Sequence, residues 1–425
     1  MVVLLALCSA LGASEAARED STQQPGQPAV QGQDNPTGAI GQTIDAVHWV
    51  GRRRKFTLEG SPYGFTGLPI LYFSPYTGWN YGARLQWSDL RRRPYRYKLI
   101  LHWARSTEGK IKYLAIAKVP RISGTGFGVF LQLSLERDMR TRYYGFGNDS
   151  VYHRKYTDPQ SPSFRDEDYY YYVLERPRGI FRLLRQLRGP LSMSAGFGVE
   201  RAQVSRHGER SYYAEEGTPD GVVDGVTGFA SLTLQWDSRD DETLPRRGVF
   251  HEWSYETSRN SLLGLFFAQI NYRRYTVTDA RYWPLSDRLT LAQRTIFETL
   301  KGAVPLYAYG EIGGSRRIKG LGGGDSLRGF DSQRFTDNLR FISNSELRYH
   351  LRSSRVARQH LEWQGALFMD AGRVWPALDK LTLNDMHLTA GAGARLFWNA
   401  DFVIRLDVGF SSEQPYVTLK YRNIF

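Results

Sequence analysis

Hydrophobicity in this chain repeats every second residue, and that period restricts the fold more than any other feature. In Tyr81–Trp87, Tyr81, Ala83, Leu85 and Trp87 alternate with Gly82, Arg84 and Gln86. Val129–Leu135, Leu191–Val199, Ala230–Trp236, Leu388–Trp398 and Ile404–Phe410 do the same, with Gly, Ser, Gln, Thr, Arg and Asp on the second face. A period of two belongs to strands exposed to different media on their two faces. Soluble sandwiches also alternate, so length and face chemistry must decide. Several runs reach nine to eleven residues, the span of a tilted transmembrane strand at roughly 9–11 residues; soluble strands run nearer 5–6, roughly. Trp87, Trp103, Trp236, Trp253 and Trp398 close such runs, where the aromatic girdle of a membrane barrel sits. The second face suits a wet lumen and would make a poor dry core.

About sixteen runs can be placed, near 69–75, 80–88, 95–105, 111–119, 128–137, 167–175, 191–204, 226–237, 248–257, 265–275, 288–300, 338–351, 362–375, 387–398, 401–411 and 416–425. The fold expected is all-β: a transmembrane antiparallel barrel of about sixteen strands, with a long loop folded inward. Tyr169–Tyr172 shows no alternation. Arg176–Arg188 fits two readings, a basic amphipathic turn lying on the membrane surface or an extension of the strand before it. With the first strand rising from the periplasm, the connections 138–166, 205–225 and 301–337 fall outside the cell, and the opposite turns are mostly short.

Composition agrees. The 425 residues carry 42 Gly, 26 Tyr, 22 Phe and 10 Trp, and no apolar stretch after the first residues is long enough for a spanning helix, about 18 residues or more. Val2–Leu11 followed by small residues reads as a secretory signal peptide over 1–17. Residues 18–68 read as a disordered, basic linker, and 69–425 as the barrel. The one cysteine, Cys8, lies in the leader, so no disulfide, thiolate metal site or cysteine nucleophile is expected beyond it. The formal net charge of +13 suits lipid phosphates or an acidic partner; with an exported chain, nucleic acid is not expected.

Six segments fall in a telling order. Tyr144-Gly145-Phe146-Gly147-Asn148-Asp149 comes first, then Asp237-Ser238-Arg239-Asp240 with Gly248 downstream. Next are the glycine-rich Gly313–Gly324 stretch ending in Leu327-Arg328-Gly329-Phe330, then Asn344-Ser345-Glu346-Leu347-Arg348 and Phe368-Met369-Asp370-Ala371-Gly372. Arg405-Leu406-Asp407 precedes a final strand ending at Phe425. Together they resemble the BamA-like superfamily, also called the bacterial surface antigen family, in its barrel-only branch without POTRA modules. The resemblance implies an outer-membrane protein that inserts or translocates proteins, or lipids, through a lateral seam beside a plugged lumen. It implies that the Arg328-Gly329-Phe330 loop folds inward and that Arg328 meets Glu346 and Asp370, which alternation places on inward faces. Two such carboxylates repel unless a cation lies between them, and a guanidinium satisfies both.

Asp237, Arg239, Asp240, Gly248 and Gly372 match further family positions, and Tyr421 and Phe425 match the terminal signal read by the barrel assembly machinery. The expected partners are outer-membrane lipids, unfolded outer-membrane or secreted proteins, and that machinery, with a monomeric chain, no cofactor, no metal and no enzymatic site. A passive pore or a structural surface antigen stays open as the alternative. Gly324-Asp325-Ser326-Leu327 spells a hydrolase nucleophile motif, but the strand–helix elbow this chemistry requires has no pattern here, and Asp385-Met386-His387 is one residue short of the partner spacing.

Overall fold

The computed structural model describes residues 54–425 apart from 59, 75–76, 92–94, 218–223, 243, 259–269, 357–358, 399–401, 414 and 421–423. The expected signal peptide and the linker up to residue 53 lie outside the described residues.

One antiparallel sheet of seventeen strands makes up the body. It opens with β1 (Arg54–Leu58), β2 (Ser61–Ser74), β3 (Gly78–Asp89), β4 (Tyr97–Ser106), β5 (Ile111–Val119) and β6 (Phe127–Arg142). It continues through β7 (Tyr171–Arg188), β8 (Leu191–Arg206), β9 (Gly225–Asp237), β10 (Gly248–Thr257), β11 (Tyr272–Pro284) and β12 (Leu289–Gly302). After a long connection containing the two-residue strands β13 (Glu311–Ile312) and β14 (Ile318–Lys319) come β15 (Leu339–Val356), β16 (Gln359–Trp375), β17 (His387–Trp398), β18 (Phe402–Phe410) and β19 (Tyr416–Lys420). Apart from β13 and β14, which pair with each other, each strand pairs with the one before it in the sheet.

The strands keep the alternation of the sequence. In β12, Ala292, Arg294, Ile296, Glu298 and Leu300 are buried, while the intervening residues turn outward. In β16, Leu367 and Met369 are 62% and 58% exposed, whereas Phe368 and Asp370 on the other face are 5% and 0% exposed. Large apolar side chains therefore cover the outside, and charged ones crowd the inside. Trp79, Trp236 and Trp283 lie outward, one residue from the ends of their strands. Long connections (143–170, 207–224, 303–338) share one rim; the other rim carries short ones such as 189–190 and 285–288. Among the described residues no helix is long and apolar enough to cross a membrane.

Two sequence expectations need correction, and the two readings of Arg176–Arg188 resolve in favour of the strand extension. The first long strand begins at Ser61, not at residue 69, and a further short strand, β1, precedes it and pairs with Ser61–Phe65. Pro62 is tolerated because it lies at the start of the strand, one residue before the β2–β3 ladder begins at Tyr63↔Asp89. The strand expected at 265–275 runs over Tyr272–Pro284, with Arg274, Thr276, Ala280 and Tyr282 inward and Val277 and Trp283 outward. Arg176–Arg188 belongs to β7, an 18-residue strand. Arg176, Arg178, Ile180 and Arg182 are buried inward there, against Pro177, Gly179 and Phe181 outward. Its apparent helical spacing came from leucines lying on both faces.

Candidate functional site: the lumen loop and its ion network

The connection 303–338 is folded inward and meets the inner faces of strands from β6 round to β19. Lys319 pairs with Asp138 of β6 at 3.7 Å. Glu311 pairs with Arg176 and Arg178 of β7, the latter at 2.8 Å. Ser315 N–H donates to Glu252 of β10 at 2.8 Å, and Arg317 pairs with Glu256. Asp325 lies 3.6 Å from Lys420 of β19. One segment can touch all these strands only if the sheet curls around it.

At the tip of the loop, Arg328 is fully buried. Its Nε and one Nη donate to the two carboxylate oxygens of Asp370 at 2.9 and 2.7 Å, its backbone N–H adds a third bond at 3.1 Å, and its other Nη donates to Glu346. The guanidinium also lies 3.5 Å from the ring centroid of Phe368. Alternation dictates this convergence, because Glu346 of β15 and Phe368 and Asp370 of β16 share the inner face of adjacent strands. Burial works to strip the proton from Arg328, and the carboxylates of Asp370 and Glu346 reverse this, raising its pKa above the ordinary arginine value. The geometry is a fork gripping two acids, the strongest kind of charge-assisted hydrogen bonding.

The surrounding shell is larger than the motifs suggest. Arg395 of β17 bridges Glu346 at 2.7 Å and Asp407 of β18 at 2.6 Å. Arg348 donates to Glu346 at 2.7 Å, and Asn344 to Asp370 at 2.8 Å and to the Ser326 carbonyl at 2.6 Å. Arg405 lies 3.3 Å from Asp407 and also donates to the Gly324 carbonyl. A second cluster lies nearer the base of the loop, where Glu298 meets Arg340 at 3.0 Å and accepts from Thr276 at 2.8 Å. A third joins Arg178 to Glu200 at 2.6 Å, as well as to Glu311. Residues such as Arg395, Asp407, Arg340 and Glu298 could have been found as charges at inward positions of alternating strands. Their pairing could not.

Backbone fit completes the lock. A Cβ on Gly409 would lie 2.5 Å from the Arg328 carbonyl, and one on Gly329 would lie 2.7 Å from the Phe410 backbone. The loop main chain is thus pressed directly onto β18, and Ser411 donates to the Gly329 carbonyl at 2.7 Å. Gly372 leaves room for Leu321 and Leu327, since a Cβ there would lie 2.7 Å from Leu321. Phe330 stacks edge-on to Phe335 at 5.1 Å and to His387 at 5.6 Å. The Ser326 hydroxyl shares its one proton between the Gly320 and Gly322 carbonyls, at 2.9 and 3.0 Å, and accepts from Gly322 N–H, so it serves loop geometry.

The Tyr144–Asp149 segment reaches the same loop from the rim. Gly147 bridges Thr336, Phe146 packs edge-on to Tyr309 at 4.8 Å, and Asn148 accepts from Val374 N–H of β16 at 3.3 Å. The remaining sequence-predicted residues lie apart. Asp237, the last residue of β9, and Arg239 just beyond it form a two-pronged pair at 2.8 and 2.7 Å. Asp240 accepts the N–H groups of Arg246 and Arg247 across that turn at 3.0 and 3.2 Å. Gly248 holds φ +100°, where a Cβ would lie 2.3 Å from the Ser238 carbonyl. These residues shape a turn and do not touch the lock.

Tyr421 lies outside the described residues, and Phe425 is not on the outward face of the last strand. The strand ends at Lys420, and Phe425 lies inside with Ala280, Tyr282 and Ala292. Arg294 and Arg348 lie 5.1 and 4.9 Å from its ring centroid, and Arg294 donates to the Ile424 carbonyl at 2.8 Å. Two buried guanidinium groups that each gain an aromatic face account for the inward position.

A family model for the Omp85 superfamily domain matches residues 72–416. The chain belongs to the Omp85 superfamily. Its fold is similar to BamA from Haemophilus ducreyi lacking POTRA domains 1-3, with 13% identity over 90% of this chain and 77% of that one and a TM-score of 0.52. It is also similar to CdiB from Escherichia coli, with 10% identity over 90% of this chain and 69% of that one and a TM-score of 0.51. No curated protein matches the sequence. The fold is therefore that of an Omp85 barrel, with the curled sheet as its wall and the 303–338 connection as its inward loop. Such barrels sit in the bacterial outer membrane and work in assembly or secretion alongside outer-membrane proteins and lipids.

Proposed function

We propose that this Omp85 protein inserts or translocates polypeptides, or lipids, at the bacterial outer membrane, opening along the seam between β2 and β19 while its lumen stays plugged. The observation that carries this reading is the attachment of the plug to the closing strands. The loop lies against β18 at Gly329 and Gly409 and against β19 at Asp325 and Lys420, so movement of those strands and of the plug are coupled. β19 closes the sheet on β2, and β1 occupies the edge of β2 at Ser61–Phe65, so the seam has only the rest of that edge. A weakly held edge offers unpaired N–H and C=O groups as a template for an incoming strand.

The test is reconstitution into phospholipid vesicles with an unfolded outer-membrane barrel as client. Protease-resistant, heat-modifiable client should exceed that in protein-free vesicles. Crosslinking β2 to β19 through introduced cysteines should abolish the gain, and reduction should restore it. Unaltered activity in the crosslinked form would remove the seam from the mechanism. No gain in client insertion, together with a large steady conductance in planar bilayers, would establish the passive-pore alternative.

A further inference from the structure

The outer wall carries a groove that the lumen machinery does not use. It crosses the outward faces of β4 to β8, encloses about 780 Å³, and is lined by Trp103, Tyr113, Leu133, Leu135 and Pro177. Three small or interrupting residues create it. Ala115 and Gly179 leave gaps among large neighbours. Pro177 has no N–H to give, and the β7–β8 ladder skips Arg176 and Pro177, resuming at Glu175↔Gln203 and Arg178↔Glu200. Arg201, exposed on β8, faces Pro177 across that gap.

Two residues nearer the long-loop rim, the registers set Arg105, Ile111, Arg137, Glu175 and Gln203 side by side across β4 to β8. Arg105 lies along the wall and donates to the Tyr113 hydroxyl at 2.6 Å. Arg137 and Glu175 are 3.7 Å apart and both remain largely exposed. Two cations and one anion thus border the upper edge of an apolar depression, at the level where the greasy belt gives way to polar residues, and Arg201 adds a third cation within the groove.

We propose that this groove is a docking site for an anionic membrane lipid, its acyl chains lying over Leu133, Leu135 and Pro177 and its phosphate bound by Arg137 and Arg201, with Arg105 adding to the positive field of the rim. The charge pattern selects this occupant. Glu175 answers only one of the three cations, so a neutral lipid would leave a net positive charge there, and a second copy of the chain would set that charge against itself. The proposal rests on the outward face meeting the bilayer, and not on the cargo activity.

The test is native mass spectrometry of the full chain, released from detergent after equilibration with phosphatidylglycerol or phosphatidylcholine. Wild-type protein should retain phosphatidylglycerol at least fivefold better, since each arginine near an anionic surface contributes about fivefold and the Glu175 contact offsets part of it. The triple variant Arg105→Gln, Arg137→Gln, Arg201→Gln should bring the two lipids to parity. Gly179→Leu, whose Cβ would meet only Leu133 at an ordinary 3.5 Å, should fill the groove and reduce retention of both lipids by at least threefold. Both variants should keep heat-modifiable migration, which reports a folded barrel. Equal retention by wild type, a preference that survives the triple variant, undiminished retention by Gly179→Leu, or a lipid-free dimer would each overturn the proposal. A chain that folds in detergent-free buffer would instead refute the barrel orientation itself.

Discussion

Arg328→Ala isolates the energetic logic of the lumen lock. The substitution removes three side-chain hydrogen bonds to Asp370 and Glu346 and leaves both acids buried. Their fates differ. Glu346 keeps Arg348 and Arg395, each at 2.7 Å. Asp370 keeps only the neutral donors Asn344 and Thr389, at 2.8 and 3.2 Å, and the backbone N–H of residue 328. Removing one partner of a buried ion pair costs about 3–5 kcal/mol, mostly because the other charge is stranded. Arg328→Ala should therefore cost about 3–5 kcal/mol in a reversible urea titration of the barrel in lipid vesicles. Because the penalty is a stranded charge, Arg328→Ala combined with Asp370→Asn should recover more than half of the loss, and Asp370→Asn alone should cost less than Arg328→Ala. The cycle of single and double variants reads the coupling directly. A loss under about 1 kcal/mol, in the range of exposed pairs, or a double variant as unstable as the sum of its parts, would refute the account.

Other consequences can be measured more simply. Gly409→Ala sets a methyl group against the Arg328 carbonyl, backbone that has nowhere to move. It should lift the loop off β18 and make residues 303–338 sensitive to protease while the strands stay resistant. At Glu311, burial pushes the carboxyl pKa up, but Arg176, Arg178 and Arg317 overcome this and hold it well below the usual 4.5. A depressed carboxylate contributes stability that is fully present above its unfolded pKa and is lost as pH falls through the folded value. Protease resistance of the loop should thus be flat from neutrality to about pH 5 and decline only well below the ordinary carboxylate range, whereas Glu311→Gln should show the weakened loop already at pH 7. Arg294→Leu should free the tail, raising carboxypeptidase removal of Phe425 with little effect on resistance of the wall.

The wall was legible because its signal is local: two media on two faces write a period of two wherever a strand is long. That signal failed where the strand's own chemistry blurred the faces. In β7, Arg176 and Arg178 lie inward while Leu183 faces out and Leu184 in, so leucine spacing mimics a helix. At β11, a run of apolar residues before Tyr272 drew the expected strand several residues too early. In the lock, Arg328, Glu346 and Asp370 could be joined in advance because a known family pattern ties a loop residue to two strands. Asp407 and Arg395 carried the same inward parity but no motif to connect them, and Glu311 with Arg176 and Arg178 depends on a loop path that no periodicity encodes. Phe425 went astray for the same reason: its inward partners, Arg294 and Arg348, are 131 and 77 residues distant in a sequence of 425.

Charge fixes the register of this plug, on top of the apolar clusters it shares with the strands, for a physical reason. A barrel spends its large apolar side chains on the lipid-facing surface, as Leu367 and Met369 do on the outer face of β16. The inner face must then hold the loop with what alternation leaves it: Ile296, Ile342 and Val374 pack on Leu321, Leu327 and Phe330, and around them the inward positions are rich in Arg, Glu, Asp, Asn and Gly. A buried ion pair is a poor source of net stability, because desolvation offsets much of its attraction. Its value lies in geometry: Arg328 can satisfy Asp370 and Glu346 together in only one place, whereas an apolar plug could slide by a residue at small cost. A lock of this kind holds the loop in one register, and it loses its grip abruptly once a strand that bears one of its acids moves. Strand β18 supplies Asp407 and Arg405, and β19 supplies Lys420, so displacement of the closing strands takes Asp407 from Arg395 and both Arg405 and Lys420 from Asp325 at once. Asp407→Asn should accordingly weaken the loop more than it weakens the wall, seen as loop cleavage at urea concentrations where heat-modifiability is intact. If wall and loop instead fail together, the lock does not act as a separate unit.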